Sequence, residues 1–257
     1  MGFPQFPEKF AKPAVLNAQD IVDYRRRLGR MPDLPGLEGV LLCLERGLPR
    51  KLRWKIPVRQ AGSMNGEVYA LKKSHGRVAV MTGFGGGAPI VAELAEEFVA
   101  MGAKKLILMT WGGALQPELQ AGDIVVCDRA LRDDGTSQHY LPPGKYVQAG
   151  PELVEGLMIS IQKRGAACTT GTTWTTDAPY RETVEEVCQY QAEGVKTVEM
   201  ESAGLFAIGA VRGVQTASVV VVMDSLATLH WQVPERLDPI SRSLEVVYAA
   251  ALEALAG

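Results

Sequence analysis

The chain has 257 residues, 47% hydrophobic and 22% charged, with a formal net charge of -2. That length and composition suit one sizeable α/β domain able to bury a large core. A sequence pI of about 6.0 lacks the cationic excess that binding nucleic acid or an anionic membrane requires, so the expected partners are small molecules and copies of the chain itself.

The opening "MGFPQFPEKFAKP" carries prolines and charges where a signal peptide carries an apolar run. Its Phe3, Phe6 and Phe10 can dock on a neighbouring copy or fold back on their own subunit. Next, "NAQDIVDYRRRLGR" repeats Ile21, Tyr24 and Leu28 at helical spacing, with Asn17 as the cap. Residues 1–38 therefore read as an arm and short helix, and the Pro/Gly linker "MPDLPGLEG" leads into an α/β domain over 39–257.

In that domain "GVLLCL" (39–44), "GEVYALKK" (66–73) and "RVAVMTG" (77–83) read as strands. A helix follows in which Ile90, Val91, Leu94, Phe98 and Val99 oppose Glu93, Glu96 and Glu97. "KKLILMT" (104–110) reads as a strand ending in the turn "WGGALQP", and "DIVVCD" (123–128) as another. A helix over 151–163, the strand "AACTTGTTW" and the helix "RETVEEVCQYQAEG" precede "KTVEMESAGLFAIGAVRGVQTASVVVVMDSL" (196–226), and a helix over 239–255 closes the chain. Strands alternating with crossover helices predict a mixed, mostly parallel central sheet flanked by helices. No run reaches transmembrane length, since Asp224 breaks the longest apolar strand.

Cys43, Cys127, Cys168 and Cys188 show no CxxC spacing and read as buried thiols in a reducing compartment, the cytoplasm. His75, His139 and His230 have no ligand-like spacing, so no metal site is expected.

Ligands of such sheets bind beyond the carboxyl ends of the strands. Glu45 and Arg46, the Gly85 to Gly87 run, Thr110 to Gly113, Trp174 to Arg181, Glu199 to Glu201 and Asp224 all fall there. Asp224, at the mouth of a buried strand, is suited to proton sharing near neutral pH, or else it caps the next turn through Ser225. Glu201, at a strand-to-helix junction, can accept paired hydrogen bonds from a vicinal diol, or it is an ordinary first-turn glutamate. Glu199 is expected to support the loop. The turn "TGFGGGAP", with Gly85 and Gly86, allows close backbone approach but lacks the lysine of a phosphate-binding P-loop.

Taken together, these pieces resemble the nucleoside phosphorylase family, which contains uridine phosphorylase, hexameric purine nucleoside phosphorylase and related nucleosidases. "VEMESAGLFA" is similar to its ribose-binding motif, "MTGFGGGAPIVAELAEEF" to its glycine-rich strand, turn and helix, and "WGGALQPELQAGDIVV" to its GAxxPxxxxGDxxV segment. "RDDGTSQHYLPPG" resembles a loop of the uridine branch. The likeness runs from about Gly39 to the end and implies a single-domain nucleoside phosphorylase-like α/β sandwich.

The resemblance implies cleavage of a purine or uridine-like nucleoside by phosphate, with phosphate a co-substrate and no cofactor. It gives Glu201 the ribose hydroxyls, Met200 the apolar side of the sugar and Asp224 the leaving base. Gly112 and Gly113 fall in its turn, and Trp174, Tyr180 and Arg181 where the family builds its base pocket; Trp174 can equally be a core aromatic. It also implies a homo-oligomer, either a dimer or a trimer of dimers.

The family's phosphate-holding pattern is not matched. Leu108 stands at an arginine position, Trp111 at a hydroxyl position, and Asn65 near the position of an arginine lent by a neighbour. Arg46 or Arg50, and beyond them Arg53 or Arg59, are left to compensate. Two alternatives therefore stand beside phosphorolysis. One is a nucleosidase in which Glu45 orients water, and the other is a non-catalytic nucleoside-binding member.

Overall fold

The computed structural model describes Pro4, Phe6 and residues 8–257, so Phe3 lies outside the described residues. The first α-helix, α1 (Ala18–Arg27), begins at a capping box between Asn17 and Asp20. It leans on a later helix through an ion pair from Arg25 to Glu97, a carboxylate only 3% exposed. Phe6 is exposed, and Phe10 is partly covered.

Strand β1 (Gly39–Cys43) and the one-turn helix α2 (Leu48–Lys51) come next. β2 (Val58–Ser63), absent from the sequence reading, forms a hairpin with β3 (Glu67–Leu71). β2 shows little apolar alternation because it is the outermost strand of the sheet, with Ala61 its one buried residue. β4 (Val78–Thr82) and α3 (Ala88–Ala100) follow. β5 (Lys105–Ala114) continues through "WGGA", where a turn was expected. Glycine makes this possible: a Cβ at Gly112 would lie 2.3 Å from the carbonyl oxygen of Val198 on the adjoining strand.

β6 (Ile124–Asp133) is likewise longer than expected. It leads into the short helix α4 (Gly135–Tyr140), capped by Asp134, whose carboxylate accepts from Ser137 N at 2.6 Å and Ser137 Oγ at 2.5 Å. Thus "DGTSQHY" is a capped helical turn. The remaining elements are β7 (Tyr146–Gln148), α5 (Pro151–Gln162), β8 (Thr169–Thr176), α6 (Val184–Ala192), β9 (Thr197–Glu199), α7 (Ser202–Arg212), β10 (Gln215–Ser225) and α8 (Asp238–Ala256).

The ten strands of the described residues form one sheet in the order β10-β6-β8-β9-β5-β1-β4-β3-β2, with β7 on β6. β10 also pairs with β5, so β5, β9, β8, β6 and β10 close into a small barrel. The expected excess of parallel pairs is not found. Among the described residues β1–β4, β1–β5, β10–β5, β6–β8 and β8–β9 are parallel, and the other five pairings are antiparallel. Crossover helices force parallel neighbours, but the β2–β3 and β3–β4 connections are hairpins and β9 enters the barrel against β5.

β1, β4 and the middle of β10 are buried on both faces, which explains their unbroken β-branched and leucine-rich sequences. α3 and α7 pack together on one side, and α5 and α8 on the other. The four cysteines are unpaired; Cys43 and Cys127 are buried, as expected, but Cys168 is only partly covered and Cys188 is exposed on α6. No helix among the described residues is long and apolar enough to cross a membrane.

Candidate active site

A cleft of about 610 Å³ opens where β5, β9 and β10 end, lined by Glu199, Met200, Glu201 and Asp224 together with Trp111, Gly112 and Gly113. Stretches far apart in sequence meet here because the closed barrel draws three strand ends together.

Glu201, 3% exposed, is the residue at the head of α7. Its Oε1 accepts from the Gly87 backbone N–H at 2.7 Å, and its Oε2 from Thr110 Oγ1 at 3.2 Å and Met200 N at 3.3 Å. The glycine-rich turn therefore addresses the protein's own carboxylate. Gly87 holds φ at +103°, a conformation that glycine tolerates and that aims its N–H at Glu201. Gly86 also lies against Glu201, since a Cβ there would sit 3.3 Å from Oε1, while Gly85 is exposed and neither residue lines the cleft.

Glu199 anchors the turn between β9 and α7. Its Oε2 accepts from the N–H groups of Glu201 at 2.8 Å and Ser202 at 2.7 Å, and its Oε1 from Thr175 Oγ1 at 2.5 Å. Thr175 Oγ1 in turn accepts from Ala203 N at 3.0 Å. Burial, then the neighbouring Glu201, pushes the Glu199 carboxyl up to about 7, and burial also raises that of Glu201. The pair is the most deeply desolvated acid couple of the cleft.

Asp224 reaches the cleft through an irregularity in β10. Val222 pairs with Gly112 and Asp224 with Gly113, so Met223 is skipped as a bulge. Asp224 Oδ2 accepts from the indole Nε1 of Trp231 at 3.0 Å. Trp231, 69% exposed, comes from the segment between β10 and α8 and was not singled out in the sequence. Glu182 was missed as well, whereas Thr110 stood among the expected strand-end residues. Glu182 lies on the cleft wall, and burial, followed by the charges of Asp224 and Glu186, pushes its carboxyl up to about 7. No local signal separated it from the acidic face of α6; only its position just after β8 pointed to the cleft.

The remaining expected residues scatter. Trp174 is a core side chain, 1% exposed, whose Nε1 donates to Asp133 Oδ2 at 3.0 Å and whose ring meets Tyr190 edge-on at 4.8 Å. Alternation along β8 turns it away from the cleft. Tyr180 stands fully exposed on the rim, and Arg181 is exposed and does not line the cleft. Glu45 accepts from Gly47 N at 3.2 Å, closing the turn after β1, and Arg46 is exposed; neither lines the cleft.

Arg50 is held by Glu67 and by Tyr69 Oη at 3.2 Å, Arg59 by Asp33 at 2.8 Å, and Arg53 lies 5.2 Å over the ring of Trp54. Leu108 is wholly buried, and Asn65 donates to Glu93 at 2.9 Å. Among the described residues no lysine, arginine or histidine lines the cleft. No group of three or more His, Cys, Asp or Glu side chains among them is placed to hold a metal.

A buried carboxylate beside an apolar methionine, facing a half-buried aspartate across glycines, can bind a diol at one end and a proton-bearing heterocycle at the other. The model of the phosphorylase superfamily matches residues 39–255. Similar proteins include the DeoD-type purine nucleoside phosphorylases of Bacillus cytotoxicus, Bacillus thuringiensis and Bacillus mycoides. Each is 27% identical over 180 residues, covering 69% of this chain and 76% of the relative. The chain belongs to the phosphorylase superfamily.

Proposed function

We propose that this phosphorylase-superfamily chain cleaves the N-glycosidic bond of a nucleoside with phosphate, releasing free base and ribose 1-phosphate. The observation that carries this reading is Glu201, buried at the cleft wall and held by Gly87 and Thr110, with Asp224 in the same cleft on β10, the strand on the other side of β5 from β9.

In the proposed reaction the C1′–N bond breaks with its electron pair passing to the base. Glu201 grips the 2′ and 3′ hydroxyls and stabilises the positive charge growing on the sugar ring, with Met200 against the sugar's apolar side. Asp224 passes a proton to the departing base, and a phosphate oxygen closes on C1′. The names of the relatives favour a purine base. Glu199 keeps the Glu201 turn rigid by capping the first N–H groups of α7. We place the reaction in the cytoplasm, in a homo-oligomer, with residues 39–257 as the catalytic domain and 1–38 as an arm.

A second reading follows from the cation-free lining, because a phosphate dianion binds poorly without charged donors. In it, water takes the place of phosphate. Both are tested by incubating purine and pyrimidine nucleosides with and without phosphate and measuring free base. Release that requires phosphate supports phosphorolysis, release that ignores it supports hydrolysis, and no release from any nucleoside overturns both.

A further inference from the structure

Four carboxylates line the cleft, those of Glu182, Glu199, Glu201 and Asp224, and no cationic side chain among the described residues opposes them. Glu199 and Glu201 are occupied by backbone and hydroxyl donors. Asp224 takes one indole N–H, and Glu182 lies half-buried beside Asp224, with no hydrogen bond from the described residues to offset its desolvation. The same cleft carries three aromatic side chains, Trp111, Tyr180 and Trp231. Aromatic faces and unneutralised carboxylates attract the same kind of ligand, a flat organic cation.

We infer that the cleft selects ribosides whose base is itself cationic, a pyridinium or N-alkylpurinium ring, with Trp111, Tyr180 and Trp231 supplying aromatic faces and Glu182 and Asp224 the countercharge. The inference rests on reading the cleft as a site of glycosidic-bond cleavage. Such a base leaves without needing a proton. As the C1′–N bond breaks, its electron pair neutralises the ring and the positive charge passes to the ribosyl carbon. A phosphate or water oxygen then forms the new C1′–O bond, with the proton going to solvent in the case of water.

Two base-sized probes that differ in charge test this: nicotinamide, which is neutral, and its ring N-methylated cation. Their affinities are measured by calorimetry at about pH 8, at low and high salt, with wild type and Glu182→Gln, whose fold is checked by circular dichroism. The cation is expected to bind about tenfold more tightly than the neutral probe. Glu182→Gln should cut that ratio to below about threefold. High salt should weaken the cation and spare the neutral probe, a readout that stands even if Glu182→Gln does not fold.

Equal or weaker binding of the cation, or a ratio unmoved by both the substitution and salt, overturns the inference. A parallel assay follows cleavage of a pyridinium riboside, inosine and uridine. Cation-selective binding with no cleavage of any riboside overturns the proposed function and leaves this inference standing. Cleavage of inosine without cation preference does the reverse.

Discussion

Asp224 sits directly opposite Gly113 across the β10–β5 ladder, so close that a Cβ on residue 113 would lie 2.8 Å from Asp224 Oδ1. Glycine at 113 is what lets the bulge at Met223 deliver a carboxylate to the cleft.

Gly113→Ala is therefore expected to displace Asp224 and lower kcat/KM for nucleoside cleavage about 100-fold, because small misplacements of a reacting group are costly. Steady-state kinetics alongside thermal melting checks this. A variant that folds and keeps wild-type turnover shows that the position of Asp224 does not matter.

Glu201→Gln keeps an oxygen for the Gly87 N–H but loses the charge that grips the diol. A charged hydrogen bond contributes about 1.5–3 kcal/mol, so kcat/KM for a ribonucleoside should fall by roughly 10–150-fold. The 2′-deoxynucleoside, which makes less use of this carboxylate, should suffer less. An equal loss for both substrates removes the sugar from the role of Glu201.

The Trp231 indole donates to Asp224 Oδ2 from an exposed position. Trp231→Phe keeps a ring and removes the donor, so we expect kcat/KM to drop about tenfold with the melting temperature unchanged. Unaltered kinetics would mean that the contact is incidental.

Stability should vary with pH through the buried acids. Burial raises the Glu199 carboxyl from 4.5 to about 7, so between those values the folded protein keeps a proton that the unfolded chain has released. The native state then loses stability as pH rises from about 4.5 to 7 and levels off above. Urea midpoints between about pH 5 and 8 should fall and then flatten, and Glu199→Gln should shallow the slope. A midpoint rising over this window contradicts the assignment.

Trp174→Ala should destabilise by about 3–5 kcal/mol, as for other large aromatic side chains removed from a core. Nucleoside KM for the folded enzyme should stay near that of the wild type. A large rise in KM without loss of stability would place the indole against the base after all.

The acidic pair around Met200, the spacing to Asp224 and the strand-helix alternation were legible in the sequence because each is local. Burial on both faces leaves β1, β4 and β10 as unbroken apolar runs, and capping chemistry marks the start of α1. β2 was not legible, since an exposed edge strand has little hydrophobic pattern to show. Nor was the continuation of β5 through "WGGA", where glycine usually signals a turn. The contrast is sharpest between Trp174 and Trp231. The first lies within β8 and could be read either as a pocket or as a core residue, and strand alternation buries it against Tyr190. The second lies seven residues past Asp224 in an irregular segment, and only the return of that segment brings its N–H to the carboxylate.

That Glu199, Glu201 and Asp224 stand at strand ends follows from the residue order alone, because the apolar runs that precede them stop there. What those carboxylates meet depends on the folded chain. Barrel closure, the bulge at Met223 and the course of the segments after β8 and β10 gather Glu182, Glu201, Asp224 and Trp231 around one cleft and leave the nearby arginines outside it. Partners of this kind are separated by up to 114 residues, as Gly87 and Glu201 are, and no local pattern encodes a contact that depends on the path of the whole sheet.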